Sequence, residues 1–202
     1  MVFITVLILF EKGTGYGYKE KETGEVVISP IYENGKEYPI VIKKENYLAV
    51  KKHGKWGLIN SGNEVVIDFY FDDIGRPRLE KGSPEFIQCF LQKGEGYFKI
   101  GIISTKLRIT VAPILDRYPE NITVLGENTC WYYINKGKKW GAVKSDGTLV
   151  MEMEYTKEEV HNRITDLCNK LIMEYKDHKE GDCTWIRNAM QSKEYADLFE
   201  WK

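Results

Sequence analysis

The stretch YLAVKKHGKWGLIN, residues 47–60, lies over WYYINKGKKWGAVK, residues 131–144, with Trp56-Gly57 on Trp140-Gly141 and aromatic or aliphatic residues matched on both sides. Internal repetition constrains a fold more than a single motif does, because a unit that cannot bury its own apolar face must stack on its neighbours. A third copy, YFKIGIISTKLRITVAPILD, carries Ile100-Gly101 at the Trp-Gly position, and a fourth, at the start of the chain, carries Tyr16-Gly17. Successive steps from Tyr16 to Trp56, Ile100 and Trp140 are 40, 44 and 40 residues.

Each unit reads as three strands: one before a glycine turn, one opened by the aromatic-Gly step, and one after a second tight turn such as NSGN (Asn60–Asn63) or SDGT (Ser145–Thr148). In the third strand of unit two, Val65, Ile67, Phe69 and Phe71 alternate with Val66, Asp68, Tyr70 and Asp72, which predicts one buried face of period two. Matching positions are Val26, Ile28, Pro30 and Tyr32 in unit one, after a turn one residue longer, Ile109, Val111, Pro113 and Leu115 in unit three, and Leu149, Met151, Met153 and Tyr155 in unit four. Pro30 and Pro113 cannot donate a ladder hydrogen bond and are expected on an edge or at a strand end. The recurring pairs Tyr16-Gly17, Trp56-Gly57, Ile100-Gly101 and Trp140-Gly141 are expected to be structural, with the large side chain in the seam between units and the glycine making room for a neighbouring group.

The segment FEKGTGYGYKEKETG (Phe10–Gly24) superficially suggests a phosphate loop, with Gly13, Gly15 and Gly17 in alternation. In the repeat alignment it is the first hairpin, and no Gly-Lys-Ser/Thr follows it, so no nucleotide is expected there.

The segments GKWGLINSGNEVVI and KKWGAVKSDGTLVMEMEY resemble WG repeats, bacterial modules with a Lys-Trp-Gly step, a short turn and an Ile-Pro-x-x-Tyr strand. Units one and three lack the Trp-Gly pair, and Asp68 and Glu152 stand where the family has its proline. The resemblance implies an all-β array used as a binding or scaffolding surface, without shared catalytic residues. The expected fold is therefore mainly β, an array of about four degenerate three-stranded antiparallel repeats over residues 1–155, capped by a C-terminal α-helical pair over 156–202.

From Thr156 the period changes. Val160, Ile164, Leu167, Cys168, Leu171, Ile172 and Tyr175 fall on one helical face, and Thr156 with Glu159 has the form of a capping box. A second helix is expected from about Thr184 to Phe199, with the aromatic tail Tyr195, Leu198, Phe199 and Trp201 packed onto the array.

Charge bounds the partners: 29 Lys and Arg against 30 Asp and Glu leave no broad field to hold nucleic acid. The first ten residues are uncharged, too short to span a bilayer and without a basic n-region, and are expected to be a buried strand rather than a signal or transmembrane segment. Cys89, Cys130, Cys168 and Cys183 have no CxxC or metal-ligand spacing and suit a reducing, cytoplasmic compartment as structural thiols. His53 is placed in a turn, His161 on the polar side of its helix and His178 near a helix end, none with a triad or zinc partner. The carboxylates Asp68, Asp72 and Asp73 lack calcium-loop spacing and are expected to be solvated. No cofactor or metal is expected. The sequence thus points to a non-catalytic protein-interaction or scaffolding module, an immunity or regulatory factor, with Asp72, Asp73, Arg76 and Arg78 as candidate partner contacts. The alternative, suggested by 13% aromatic residues, is a carbohydrate or cell-envelope ligand binder.

Overall fold

A computed structural model describes residues 5–77, 79–80, 83–124 and 127–174. The chain divides into two compact units, Met1–Ile114 and Leu115–Lys202. The first holds three larger β sheets in succession and one short two-stranded sheet. Sheet one is β1 (Leu7–Lys12), β2 (Gly15–Glu20) and β3 (Val26–Tyr32). Sheet two joins β4 (Asn34–Gly35) and β5 (Ile40–Ile42) to β6 (Glu45–Lys52), then β7 (Lys55–Asn60) and β8 (Val65–Phe71). Sheet three runs from β9 (Asp73–Ile74) through β12 (Ile87–Gln92) and β13 (Phe98–Ile103) to β14 (Ile109–Leu115), and the short pair β10 (Leu79–Glu80) and β11 (Ser83–Pro84) lies between β9 and β12 in sequence. The second unit holds β15 (Glu120–Val124), β16 (Glu127–Lys136), β17 (Lys139–Lys144) and β18 (Leu149–Tyr155), followed by α1 (Lys157–Glu174).

Every repeat is built on an antiparallel hairpin in which the glycine of the aromatic-Gly step faces an apolar residue: Phe10 opposite Gly17, Val50 opposite Gly57, Cys89 opposite Gly101 and Ile134 opposite Gly141. The β6–β7 turn is His53-Gly54, with φ of 52° and 74°. Two central residues with positive φ define a type I′ turn, whose twist suits a two-residue hairpin. His53 thereby holds a turn position that histidine tolerates and most residues do not.

The third strands depart from the alternation expected of them. Leu58 pairs with Ile67 and Trp56 with Phe71, so two steps along β7 are matched by four along β8; the same offset separates Tyr18–Ile28 from Tyr16–Tyr32, and Ala142–Met151 from Trp140–Tyr155. The extra residues form a bulge. Burial follows it: in β8 only Ile67 and Phe71 are buried, whereas Val65 is exposed and Phe69 half-buried, and β3 repeats that pattern residue for residue. The buried period is four, not two. β3 and β14, which contain Pro30 and Pro113, lie at the ends of their sheets.

The bulge also accounts for the glycines. A Cβ on Gly57 would lie 2.7 Å from the Ile67 carbonyl oxygen, one on Gly17 2.3 Å from that of Ile28, one on Gly101 2.9 Å from that of Val111, and one on Gly141 2.3 Å from that of Met151. The third strand crosses directly over the glycine, and any side chain there would meet backbone.

In the first unit sheet two is buried on both faces. Leu48, Val50 and Ile59 join Leu7, Tyr18, Ile28 and Tyr32 of sheet one, while Tyr47, Ala49, Trp56 and Leu58 join Ile87, Cys89 and Ile103 of sheet three. Successive β6 residues therefore serve alternate cores, and the near-continuous apolar run YLAV follows from that geometry. Trp56 sits in the seam between repeats two and three, 8% exposed.

In the second unit Val160, Ile164, Leu167 and Cys168 of α1 pack on Ile122, Val124, Trp131, Tyr133, Ala142 and Met151. The helix covers a face of the fourth repeat's sheet and shares its core, and both lie in the compact unit Leu115–Lys202. Its start is a capping box: the Thr156 amide donates to Glu159 Oε2 at 2.7 Å and the Glu159 amide donates to Thr156 Oγ1 at 3.2 Å. One helix is described; the second expected helix, the aromatic tail and His178 lie outside the described residues. At the other end β1 begins at Leu7, and Val6, expected within a buried strand, is exposed; residues 1–4 lie outside the description.

Candidate functional site

The residue that follows each third strand in the first three repeats is acidic: Glu33, Asp72 and Asp116. Glu33 and Asp72 tie their strands to the next hairpin within the first unit, and Asp116 makes the same kind of bonds inside the second. The backbone N–H of each donates to a carbonyl of the hairpin, from Glu33 to Lys51, Asp72 to Phe90 and Asp116 to Asn135. The carboxylate of each accepts a backbone N–H at or near the hairpin turn, from Gly54 to Glu33, Gln92 to Asp72 and Gly137 to Asp116. In the fourth repeat the equivalent position is Thr156, which caps α1 instead. The series of acidic positions thus ends where the helix starts.

The residues expected to contact a partner are placed at the joint between repeats two and three. Asp72 pairs with Lys55, and these ties hold its carboxyl below the ordinary value of 3.8, the Lys55 hydrogen bond first and the Gln92 amide second. Asp73 pairs with Lys36 at 2.7 Å and accepts the Ile74 amide. The Arg76 guanidinium lies 5.0 Å from the Tyr38 ring centroid. These three side chains are engaged within the fold; Arg78 lies outside the described residues. A carboxyl whose folded value is depressed stabilises fully above its unfolded value and loses that contribution as pH falls through the folded one. Asp72→Asn is therefore expected to cost about 1.5 kcal/mol at neutral pH, the scale of a hydrogen bond to a charged group, and to flatten the stability loss below pH 3.8, as read by urea unfolding across pH.

Trp56 and Trp140 each carry a cation. Lys36 Nζ lies 4.6 Å from the Trp56 ring centroid, and Lys157 Nζ lies 4.7 Å from that of Trp140. Lys157 also sits 4.9 Å from Tyr133 and pairs with Glu120. The Tyr133 hydroxyl hydrogen-bonds His161 Nδ1 at 2.8 Å, so His161 faces the sheet rather than the polar side expected for it. Burial, then the negative charge of Glu120, raises the Tyr133 phenol. Sequence reasoning passed over Lys36, Glu120, Tyr133 and Lys157, because nothing in a linear pattern places a lysine over a ring contributed by another element. The acids at 33, 72 and 116 did have a signal, an offset of 17, 16 and 16 residues from Tyr16, Trp56 and Ile100 that becomes common once the extra turn residue of unit one is allowed for.

The other candidates resolve into structure. Burial pushes the Cys89 thiol up to about 12, and Cys168 is buried on the sheet-facing side of α1, which makes both poor nucleophiles. The side chains of Cys130 and Cys183 fall outside the description. Asp68 is exposed, and no metal-holding group of His, Cys, Asp or Glu occurs among the described residues. Gly15 and Gly17 lie against the β3 backbone, with a Cβ on Gly15 falling 2.0 Å from the Pro30 oxygen. Adding Mg-ATP is expected to leave the melting temperature unchanged, since binding to the folded state would raise it.

The outer surface of the first unit carries apolar side chains at equivalent positions. Val26, Val65 and Ile109 open the third strands at 52, 51 and 47% exposure, and Ile31 and Tyr70 near the strand ends reach 61 and 57%. No described helix is long and apolar enough to cross a membrane. Residues 16–56 and 56–80 match the family model described as WG containing repeat. No curated protein and no solved structure matches the chain.

Proposed function

We propose, for a chain whose residues 16–80 match the WG-repeat family model, that the β array is a non-catalytic protein-interaction or scaffolding module, the kind of surface an immunity or regulatory factor uses. The observation that carries this reading is the recurrence of exposed apolar side chains at Val26, Val65, Ile109, Ile31 and Tyr70, repeated with the fold and left out of its cores. Solvent-facing apolar residues at equivalent places in a repeat give a partner a periodic surface to match. The titratable groups support a non-catalytic role. Among the described residues, those displaced from their ordinary values are tyrosines, the buried Cys89, and two carboxylates, Asp72 and Glu159, that accept backbone N–H bonds. Burial and hydrogen bonding account for them, the Glu45 carboxylate coming first at Tyr47.

The test is affinity capture from the native host, identification of the captured protein and reconstitution with purified components. Ile31→Glu and Tyr70→Glu, both at exposed positions, are expected to leave the unfolding midpoint within about 2 °C while abolishing the reconstituted complex. Retention of the complex by both variants overturns the assignment of this surface. The carbohydrate reading rests on the exposed rings of Tyr70, Tyr97 and Phe98. Saturable binding on a glycan array, lost in Tyr97→Ala, would favour it.

A further inference from the structure

The rings of Tyr133 and Trp140 meet edge to face, with centroids 6.1 Å apart and planes at 88°. Lys157 Nζ occupies the corner between them, 4.9 Å and 4.7 Å from the two centroids, while Glu120 closes a third side as its ion-pair partner. Two ring faces and a carboxylate around one ammonium form an aromatic cage, the arrangement by which proteins recognise organic cations. We propose that Tyr133, Trp140 and Glu120 form a binding site for an organic ammonium group, a lysine side chain or a methylated ammonium, which the chain's own Lys157 occupies until a ligand displaces it.

Two features distinguish this corner from a purely structural contact. The equivalent tie in the first unit offers one ring, Trp56, to Lys36, whose side chain is only 22% exposed; Lys157 is 45% exposed and Glu120 41%, so the fourth repeat's cation can leave into solvent. The cage is rigid where it needs to be: Trp140 is cross-strand to Tyr155, and Tyr133 is held by its hydroxyl bond to His161. Lys157 opens α1, where the helix end disfavours a cation, but Glu158 and Glu159 in the first turn offset that potential. Arg117 makes a longer contact with Trp140, at 5.8 Å, and leaves the Tyr133 side of the corner to Lys157.

A tethered competitor acts at a high effective concentration, of order millimolar for a short tether, so removing it strengthens binding of an external cation without any new contact. The site belongs to the second unit and the apolar positions belong to the first, and its test uses a small cation, so its outcome is independent of the capture experiment. Tetramethylammonium and methylammonium are titrated into the full chain while the Trp140 indole N–H resonance is followed, with the resonance assigned from Trp140→Phe. In Lys157→Ala both cations are expected to give saturable shifts with a Kd about tenfold below that of the unmodified chain, and Lys157→Arg, which refills the cage, is expected to return to the original Kd. Lys157→Gln gives the same comparison with a better helix former should the alanine variant lose its amide dispersion. Adding Glu120→Gln to Lys157→Ala weakens methylammonium more than tetramethylammonium if the natural ligand is lysine-like, and weakens both alike if it is methylated. Equal affinity with and without Lys157, or no saturation in a folded Lys157→Ala or Lys157→Gln chain, overturns the proposal.

Discussion

Trp56→Ala lowers the stability of the first unit by about 3–5 kcal/mol, the usual cost of emptying a large aromatic site in a packed core. The expectation follows from where the ring lies. Trp56 pairs with Phe71 across the β8 bulge, is 8% exposed, and joins a core that also contains Ile87, Cys89 and Ile103 of the next repeat. Its loss empties the seam between two sheets, and it strands Lys36 over a vacant site. Trp140, at the equivalent position, is only half-buried, so Trp140→Ala is expected to cost the second unit less. Urea unfolding followed by far-ultraviolet circular dichroism gives both values. Equal costs at the two positions would contradict the difference in burial.

Gly141→Ala is expected to destabilise by about 3 kcal/mol, at the upper end of the range for overpacking, because the added Cβ meets the Met151 oxygen at 2.3 Å and the Glu152 oxygen at 2.8 Å. Neither atom can swing aside as a side chain would. Gly13→Ala is the control: its φ of 65° disfavours a Cβ, yet nothing lies within 4 Å of it, so the cost is only about 1–2 kcal/mol of backbone strain. A Gly141→Ala midpoint no lower than that of Gly13→Ala would show that β18 can move away from β17, and that the glycine is not there for close approach.

The repeat itself was legible because it is a statement about one-dimensional order: Trp56-Gly57 aligned with Trp140-Gly141, and Tyr16-Gly17 and Ile100-Gly101 filled the remaining copies at similar spacing. Hairpins, tight turns and the capping box at Thr156 and Glu159 were legible for the same reason, since each is decided by residues within a few positions of one another. The second-strand glycine was legible as a place of close approach, but what approaches it was not.

Three features belong to the tertiary structure. The third strands bulge, so burial in β8 falls on Ile67 and Phe71 and skips Phe69, although an alternating apolar pattern is present in the residues themselves. Hydrophobicity says that a side chain can be buried; the register against Gly57 decides which ones are. Asp72 and Asp73, solvated carboxylates by any local rule, become ties because the chain leaving β8 runs alongside β12 and brings them to Gln92, Lys55 and Lys36. The corner of Tyr133, Trp140, Glu120 and Lys157 is assembled from β16, β17, β15 and the start of α1, elements whose residues are up to 37 positions apart. Local sequence sets the chemistry of each group, while a cation's place over two rings depends on how a helix docks against a sheet, a sum of weak contacts over many residues that no short stretch of the chain contains.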